Sequence, residues 1–243
     1  MSKVAAIIPA RWGSTRFPGK PLHVIAGKPL IRHVWERTLS ARSLDTIIIA
    51  TDDMRIAEAA FAFGAEVALT SPKHQSGTDR IAEVAKKLPA AITCVINVQG
   101  DEPAVDPALI NRMARSILAN PKIKMITAAS PFAQEQDIRN PNAVKVVLDR
   151  ASDALYFSRS VIPFSRDAGL PVQYYRHHGI YGYSRRFLLQ FVQWKPTMLE
   201  KAEQLEQLRA LENGAKIRVL TTKTVSVGVD TPADAIAVAE LLK

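Results

Sequence analysis

Cysteine is nearly absent: Cys94 is the single cysteine among 243 residues, which excludes a disulfide framework and a thiolate zinc site. It stands in the apolar run Cys94-Val95-Ile96-Asn97-Val98, where a small thiol packs as a hydrophobe. Long hydrophobic stretches are missing too, and no run approaches a membrane span. The N-terminal stretch Val4 to Ile8 is shorter than a signal-peptide core and leads into Pro9 and Arg11 without a cleavage pattern. Together these features imply a reducing, cytoplasmic setting and no membrane partner. Gly/Ser-rich or Pro-rich linkers, low-complexity tracts and internal repeats are also lacking, so residues 1–243 read as one domain. A chain of this length buries roughly 70 to 75% of its unfolded surface and needs no disulfide or structural metal to fold.

Charge is unbalanced. Thirty-two Lys and Arg face 23 Asp and Glu, a formal charge of +9, which suits an anionic partner. The basic residues are spread along the chain rather than gathered in a tail, and no helix-turn-helix, RNP or zinc-finger spacing is present. A small phosphorylated ligand is therefore expected, and no nucleic-acid partner.

Strand-like runs alternate with helical patterns from the start: Val4 to Ile8, Leu30 to Ala41, Thr46 to Ala50, Arg55 to Phe63, Glu66 to Leu69, Thr78 to Leu88, Cys94 to Val98, Pro107 to Ala119 and Met125 to Ala129. That rhythm predicts an α/β fold with a doubly wound, mostly parallel sheet. It breaks at Val144 to Leu148 and Ala154 to Phe157, two short β-like pieces joined by a polar turn, which predict an antiparallel excursion: an edge hairpin, or a lid or dimer arm. Helical patterns at Arg185 to Phe191 and Leu199 to Glu212 precede a strand at Ile217 to Leu220 and a last helix capped by Thr231, with Pro232 in its first turn and Asp234 near the capping-box position. Ligands of open α/β sheets bind beyond the carboxyl ends of the strands. The loops that begin at Pro9, Thr51, Thr70, Gln99 and Gly228 are thereby marked.

The first of these, residues 9–21, holds Arg11, Arg16 and Lys20 together with Gly13 and Gly19. Glycines let backbone N–H groups approach an anion, and the cations supply one rigid-fork and one mobile type of counter-charge. It is not a P-loop: five residues separate the glycines, and Pro21, not a hydroxyl residue, follows the lysine. The segment PAR-x-x-STR-x-PGKPL resembles the basic loop of the CMP-Kdo synthetases among the sugar nucleotidyltransferases. Further segments like that family follow in order: Ala50 to Asp53, His74 to Arg80, Asn97 to Pro103, Asn140 to Lys145, Tyr156 to Arg159, Arg176 to Tyr183, Leu205 to Arg209 and Gly228 to Pro232. The resemblance implies a Rossmann-like nucleotidyltransferase fold, transfer of CMP from CTP to the acid sugar Kdo with release of pyrophosphate, and a homodimer. It leaves the 8-amino analogue of Kdo, or another acid sugar, as the alternative substrate. A nucleic-acid-binding protein that has lost catalysis is disfavoured because Asp101, Asp230 and Lys20 are all retained.

Specific roles follow. Charge and the resemblance both give Arg11, Arg16 and Lys20 to the triphosphate, and the resemblance adds the main chain at Ala10. Asp101, after an apolar strand and Gly100, is a carboxylate at the sheet's carboxyl edge and a candidate Mg2+ ligand, or else a turn residue. Asp230 is a second candidate ligand, or part of the helix cap. Carboxylates with substrate phosphates are the usual means of holding Mg2+. Arg11, Lys20 and Asp101 are the expected catalytic residues, and no general base stands out. Ser76 or Thr78 could cap a helix whose N–H groups face an anion; the resemblance assigns Ser76, Gly77 and Arg80 to cytosine and ribose. It also assigns Gln99, Arg159, His177, Tyr181, Glu206 and Gln207 to the acid sugar, and gives His178 no role.

Overall fold

The structure, a computed structural model, describes residues 2–13, 17–167, 169–224 and 227–241. Strand β1 (Lys3–Ala10) runs into a 3-10 turn (Lys20–Leu22) and a small antiparallel ribbon, β2 (Val24–Ile25) and β3 (Lys28–Pro29). Helices and strands then alternate as α1 (Leu30–Leu39), β4 (Thr46–Thr51), α2 (Met54–Ala62), β5 (Glu66–Leu69), α3 (Gly77–Lys87), β6 (Ile92–Asn97), α4 (Pro107–Ala119) and β7 (Met125–Pro131). After α5 (Glu135–Ile138) come the hairpin strands β8 (Lys145–Leu148) and β9 (Ala154–Ser158) and the long β10 (Tyr175–Ser184). The chain ends through α6 (Arg185–Phe191), α7 (Met198–Glu203), α8 (Gln207–Glu212), β11 (Ile217–Thr221) and α9 (Pro232–Leu241).

The main sheet has nine strands, with β11-β7-β10-β6-β1-β4-β5 in line and β8 and β9 attached beside β10. Pairings of β1 with β4 and β6, of β4 with β5 and of β7 with β11 are parallel. The alternation of side chains along β1 explains why both faces are covered: Val4, Ala6 and Ile8 join a core with α1, α2 and α4, while Ile7 joins one with α3, α6 and α8. From β1 the chain moves outward to β4 and β5, then returns to lay β6 on β1's other side. Loops leaving β1 and β6 therefore part and open a crevice between them.

Three features differ from the sequence pattern. Besides the expected β8–β9 hairpin, β10 inserts antiparallel between β6 and β7 in the middle of the sheet. Its segment carries Arg176, His177, His178 and Gly179 and shows no clean apolar alternation, so tertiary packing decides its form. Gly182 is required there, because a Cβ would lie 2.7 Å from Ile126 and 2.9 Å from both Ile96 and Ile117. Second, the expected helix from Leu199 to Glu212 is two helices, broken at Gln204 in a left-handed conformation (φ 53°). Third, the β2–β3 ribbon serves as the seat of α9: Ile25 and Leu30 pack with Val229, Ala235 and Val238. The start of α9 is as expected, with Thr231 Oγ1 accepting from the Asp234 N–H (3.3 Å) and Asp234 accepting from the Thr231 N–H (2.8 Å). Cys94 is fully buried, and burial pushes its thiol up to about 12.

β10 also buries an unassigned titratable group. His178 is 5% exposed and its Nε2 meets Ser130 Oγ at 3.0 Å; burial, and then the neighbouring Arg176, hold its pKa down to about 4. The folded value lies below that of the unfolded chain, about 6.5. The unfolded chain therefore takes up the proton first as pH falls, and the stability His178 contributes above pH 6.5 is lost on acidification toward 4. Urea unfolding of the parent and of His178→Gln at pH 7 and pH 5 is expected to show the parent's advantage shrinking by about 2 kcal/mol; an advantage independent of pH would contradict it.

Candidate active site

The crevice beside β1 and β6 is a cleft of about 240 Å3 lined by Ala10, Arg11, Lys20, Ser76, Gly77, Arg80, Gln99, Asp101 and Asp230, with Pro9, Pro21, His74, Gln75 and Gly100 between them. Four of the five loops marked by the sequence reach it directly. The fifth, after β4, reaches it through Asp52, as described below.

Its floor depends on close backbone approach. A Cβ on Gly100 would stand 2.6 Å from the Pro9 carbonyl oxygen, so only glycine lets the loop after β6 lie against the end of β1. Next to it, the Asp101 carbonyl accepts from the Val229 N–H at 2.8 Å, tying in the segment before α9. Lys20 completes this junction: its Nζ donates to Asp101 Oδ2 (2.7 Å) and to the Val229 carbonyl (2.7 Å) and lies 3.6 Å from Asp230 Oδ1. One ammonium thus stands between the two carboxylates named as metal ligands. Two carboxylates flank this positive centre and both side chains are solvent-accessible (34% and 53% exposed), a donor chemistry that would suit Mg2+ with the remaining coordination positions left to phosphate oxygens and water. Among the described residues no cluster of three or more metal-type ligands exists.

The basic loop is clasped at its base. The Gly19 N–H donates to the Trp12 carbonyl (3.1 Å), Gly19 adopts a left-handed conformation (φ 69°), and the Trp12 ring lies over it. Arg55 stacks on that ring at 3.4 Å and is itself gripped by both oxygens of Asp53 (2.9 and 2.6 Å). Arg11 is exposed in the cleft wall and makes no ion pair among the described residues. Arg16 falls outside the described residues.

The opposite wall is the start of α3. Ser76 is its N-cap, accepting from the Asp79 N–H at 3.1 Å, so the first free N–H groups of the helix open toward the cleft. Arg80 is only 3% exposed. Its guanidinium bonds the Thr70 hydroxyl and Asp52 Oδ2 (3.0 Å), fixing it from the ends of β4 and β5.

The residues assigned to the acid sugar are more dispersed. Gln99 is in the cleft and donates to the Gly179 carbonyl at 3.0 Å. Glu206 bonds Thr78 on α3 and lines a neighbouring cavity of about 580 Å3 that shares Gln75 and Ser76 with the cleft. Burial raises its carboxyl pKa, against the opposing pull of Thr78 and Arg209. Gln207 is 5% exposed, and its Nε2 has no hydrogen-bond partner among the described residues. His177 contacts Thr127 Oγ1 at 3.0 Å beneath the Phe157 and Tyr181 rings. Burial, followed by His178, pushes its pKa down to about 3, so it is neutral near pH 7. Burial and then Glu206 raise the Tyr181 hydroxyl well above its ordinary value. Arg159 does not line the cleft; its guanidinium donates to the carbonyls of Glu203 (2.7 Å), Pro141 (3.1 Å) and Gln204 (3.4 Å), stitching β9 to the end of α7.

Some contributors escaped the sequence reading. His74, Gln75 and Asp52 stand inside segments quoted for their resemblance and could have been found there. Lys145 likewise closes the quoted segment Asn140 to Lys145, but its burial could not be read there: it is fully buried, donating to the carbonyls of Asn140 (2.9 Å), Ala143 (2.9 Å) and Arg159 (2.6 Å).

Comparison with known proteins identifies the family. The family profile described as cytidylyltransferase matches residues 5–217. The chain is 50% identical over 250 residues to the 3-deoxy-manno-octulosonate cytidylyltransferase of Geobacter sulfurreducens, covering 99% of each chain. It is 46% identical over 243 residues to that of Syntrophus aciditrophicus, covering 100% of this chain and 98% of the relative. A solved structure of CMP:2-keto-3-deoxy-manno-octonic acid synthetase complexed with CTP superposes with a TM-score of 0.94 at 41% identity, covering 99% of this chain and 98% of that one. The 4-diphosphocytidyl-2C-methyl-D-erythritol synthase of Anaerococcus prevotii, at 14% identity and a TM-score of 0.67 over 99% and 98% of the two chains, shares the fold. On its profile match and its identity to these relatives, the chain belongs to the cytidylyltransferase family, among the 3-deoxy-manno-octulosonate cytidylyltransferases.

Proposed function

We propose that this protein transfers CMP from CTP to Kdo, giving CMP-Kdo and pyrophosphate and activating the sugar for lipopolysaccharide biosynthesis. The observation that carries the reading is the gathering of Ala10, Arg11, Lys20, Ser76, Gly77, Arg80, Gln99, Asp101 and Asp230 in one crevice at the switch point of the sheet. In the reaction a sugar hydroxyl forms a bond to the α-phosphorus of CTP while the bond to the departing pyrophosphate breaks, and the hydroxyl proton is released. Positioning and electrostatics supply most of the acceleration.

The α3 N-terminus, with Ser76 and Gly77, and the fixed Arg80 hold the base and ribose. Arg11, Arg16 and Lys20 hold the phosphates, with the Ala10 main chain alongside. Lys20 reaches both the acidic pair and the phosphate side of the cleft, so it counters negative charge that develops on the leaving group. Asp101 and Asp230 would hold Mg2+, which when bound neutralises phosphate charge and lowers the pKa of a coordinated oxygen. Gln99, His177, Tyr181, Glu206, Gln207 and Arg159 form the sugar side. A neutral His177 offers one donor and one acceptor to a sugar rich in hydroxyls. Thr78 links Glu206 on the sugar side to α3 on the nucleotide side. Arg159 acts from behind, through the carbonyls it holds.

The same reading includes a cytoplasmic homodimer. Leu155, Phe164 and Leu170, exposed at 62, 87 and 61%, leave apolar surface uncovered around the hairpin excursion. Among the described residues no helix is long and apolar enough to cross a membrane.

Incubation of the pure protein with CTP, Mg2+ and either Kdo or its 8-amino analogue, with products identified by mass, tests the reaction and the sugar together. CMP-Kdo and pyrophosphate are expected; pyrophosphate release that is equal without any sugar would refute transfer. Two variants assign the cleft's charges. Lys20→Ala is expected to raise the CTP requirement by roughly tenfold or more, the scale of one charge-assisted contact, with the Kdo requirement nearly unchanged. Asp101→Asn keeps the shape without the charge and is expected to lower turnover at least about a hundredfold while the variant remains folded. A Kdo-only effect in the first, or near-normal turnover in the second, would remove that residue from its role.

A further inference from the structure

The start of the cleft wall formed by residues 74–77 is held from behind by Glu83, a carboxylate that does not itself line the cleft. Glu83 on α3 accepts at Oε2 from the Ser71 backbone N–H (2.9 Å) and contacts His74 Nε2 at the same oxygen (2.7 Å), while Oε1 accepts from Lys87 Nζ (2.7 Å). The two sets of bonds differ in meaning. Lys87 is 67% exposed and sits one turn along the same helix, a surface pair of the kind that contributes little. The Oε2 bonds close across residues 71–74 and tie the segment leaving β5 to the side chain that begins the cleft wall.

Those bonds also set the chemistry of His74. An ionised carboxylate only accepts hydrogen bonds, so the His74 Nε2 facing it carries the proton, and in the neutral ring Nδ1 is left as an acceptor. Glu83 stays ionised: Lys87, then the Ser71 N–H and His74, hold its carboxyl down at about 2. His74 lines the cleft next to Gln75, Ser76 and Arg80. With the ring neutral, an Nδ1 acceptor in this wall would suit an exocyclic amino group and oppose a carbonyl oxygen at the same place, and that exchange at C4, with acceptor against N–H at N3, is what separates cytosine from uracil.

We propose that Glu83 is a positioning residue for pyrimidine recognition, acting through His74 and Ser71 to hold residues 74–77 in the shape and proton arrangement that favours CTP over UTP. The proposal rests on the reading of the cleft as the nucleotide site.

The test is steady-state pyrophosphate release with CTP or UTP, Kdo and Mg2+ for the parent and for Glu83→Ala, Glu83→Gln, His74→Ala and Lys87→Ala. Glu83→Ala is expected to raise the CTP KM about tenfold and to lower the CTP-over-UTP ratio of kcat/KM about tenfold, with kcat at saturating CTP and the Kdo KM within about twofold. Glu83→Gln, whose amide oxygen takes up the same two bonds, restores most of both values. His74→Ala reproduces the loss of preference, and Lys87→Ala matches the parent. A folded Glu83→Ala with parental CTP KM and ratio overturns the proposal, as does a Lys87→Ala that mimics it or a Glu83→Gln that rescues nothing. If Glu83→Ala does not fold, a parental CTP-over-UTP ratio in His74→Ala overturns it. A parent that fails to turn over CTP with Kdo counts against the functional reading instead, and calorimetric binding of CTP and UTP to the same variants then gives the ratio.

Discussion

One ammonium group joins the parts of this molecule that must meet. Lys20 lies 81 positions from Asp101 and 209 from Val229 in the chain, yet bonds both. Like charges on Asp101 and Asp230 would repel across a narrow cleft, and the Lys20 cation between them removes that cost. The junction has consequences at both ends. It fixes the end of the basic loop against the loop after β6 that bears Asp101, and it draws in the segment from which α9 starts. Packing follows the charge, as Ile25 and Leu30 of the ribbon region meet Val229, Ala235 and Val238. The loops could not meet so closely without Gly100, where the Pro9 carbonyl takes the space of a side chain.

The parallel half of the fold and the loops that line the cleft are legible in the sequence for the same reason. Buried parallel strands read as apolar runs, and the residues just beyond each run must lie on the sheet's carboxyl edge. Val4 to Ile8, Thr46 to Ala50 and Cys94 to Val98 are such runs, and Arg11, Asp52 and Asp101 stand after them. Capping chemistry was readable at Thr231 and, as a choice between Ser76 and Thr78 that the structure resolves to Ser76, at the start of α3, because a short hydroxyl side chain before a helical pattern can satisfy the first N–H groups.

The second half was harder because local pattern does not govern it. β10 pairs with β6 on one side and β7 on the other, but its polar histidines are accommodated by Thr127 and Ser130, partners known only once the sheet is assembled. Gln204 carries no local mark of the left-handed turn that separates α7 from α8. The acid-sugar side suffers most, since Arg159, His177, Tyr181, Glu206 and Gln207 come from elements whose arrangement depends on that turn and on β10. Family resemblance named these residues, whereas spacing and charge alone did not.

The dependence of the cleft on Lys20 is open to direct measurement without any substrate. Urea unfolding of the parent, Lys20→Met, Asp101→Asn and the double variant forms a thermodynamic cycle for the pair. If the ammonium and the carboxylate hold each other as described, the double variant loses less stability than the sum of the singles, with a coupling of at least about 0.5 kcal/mol that weakens as salt is added. Losses that add, with no coupling at low salt, would contradict it.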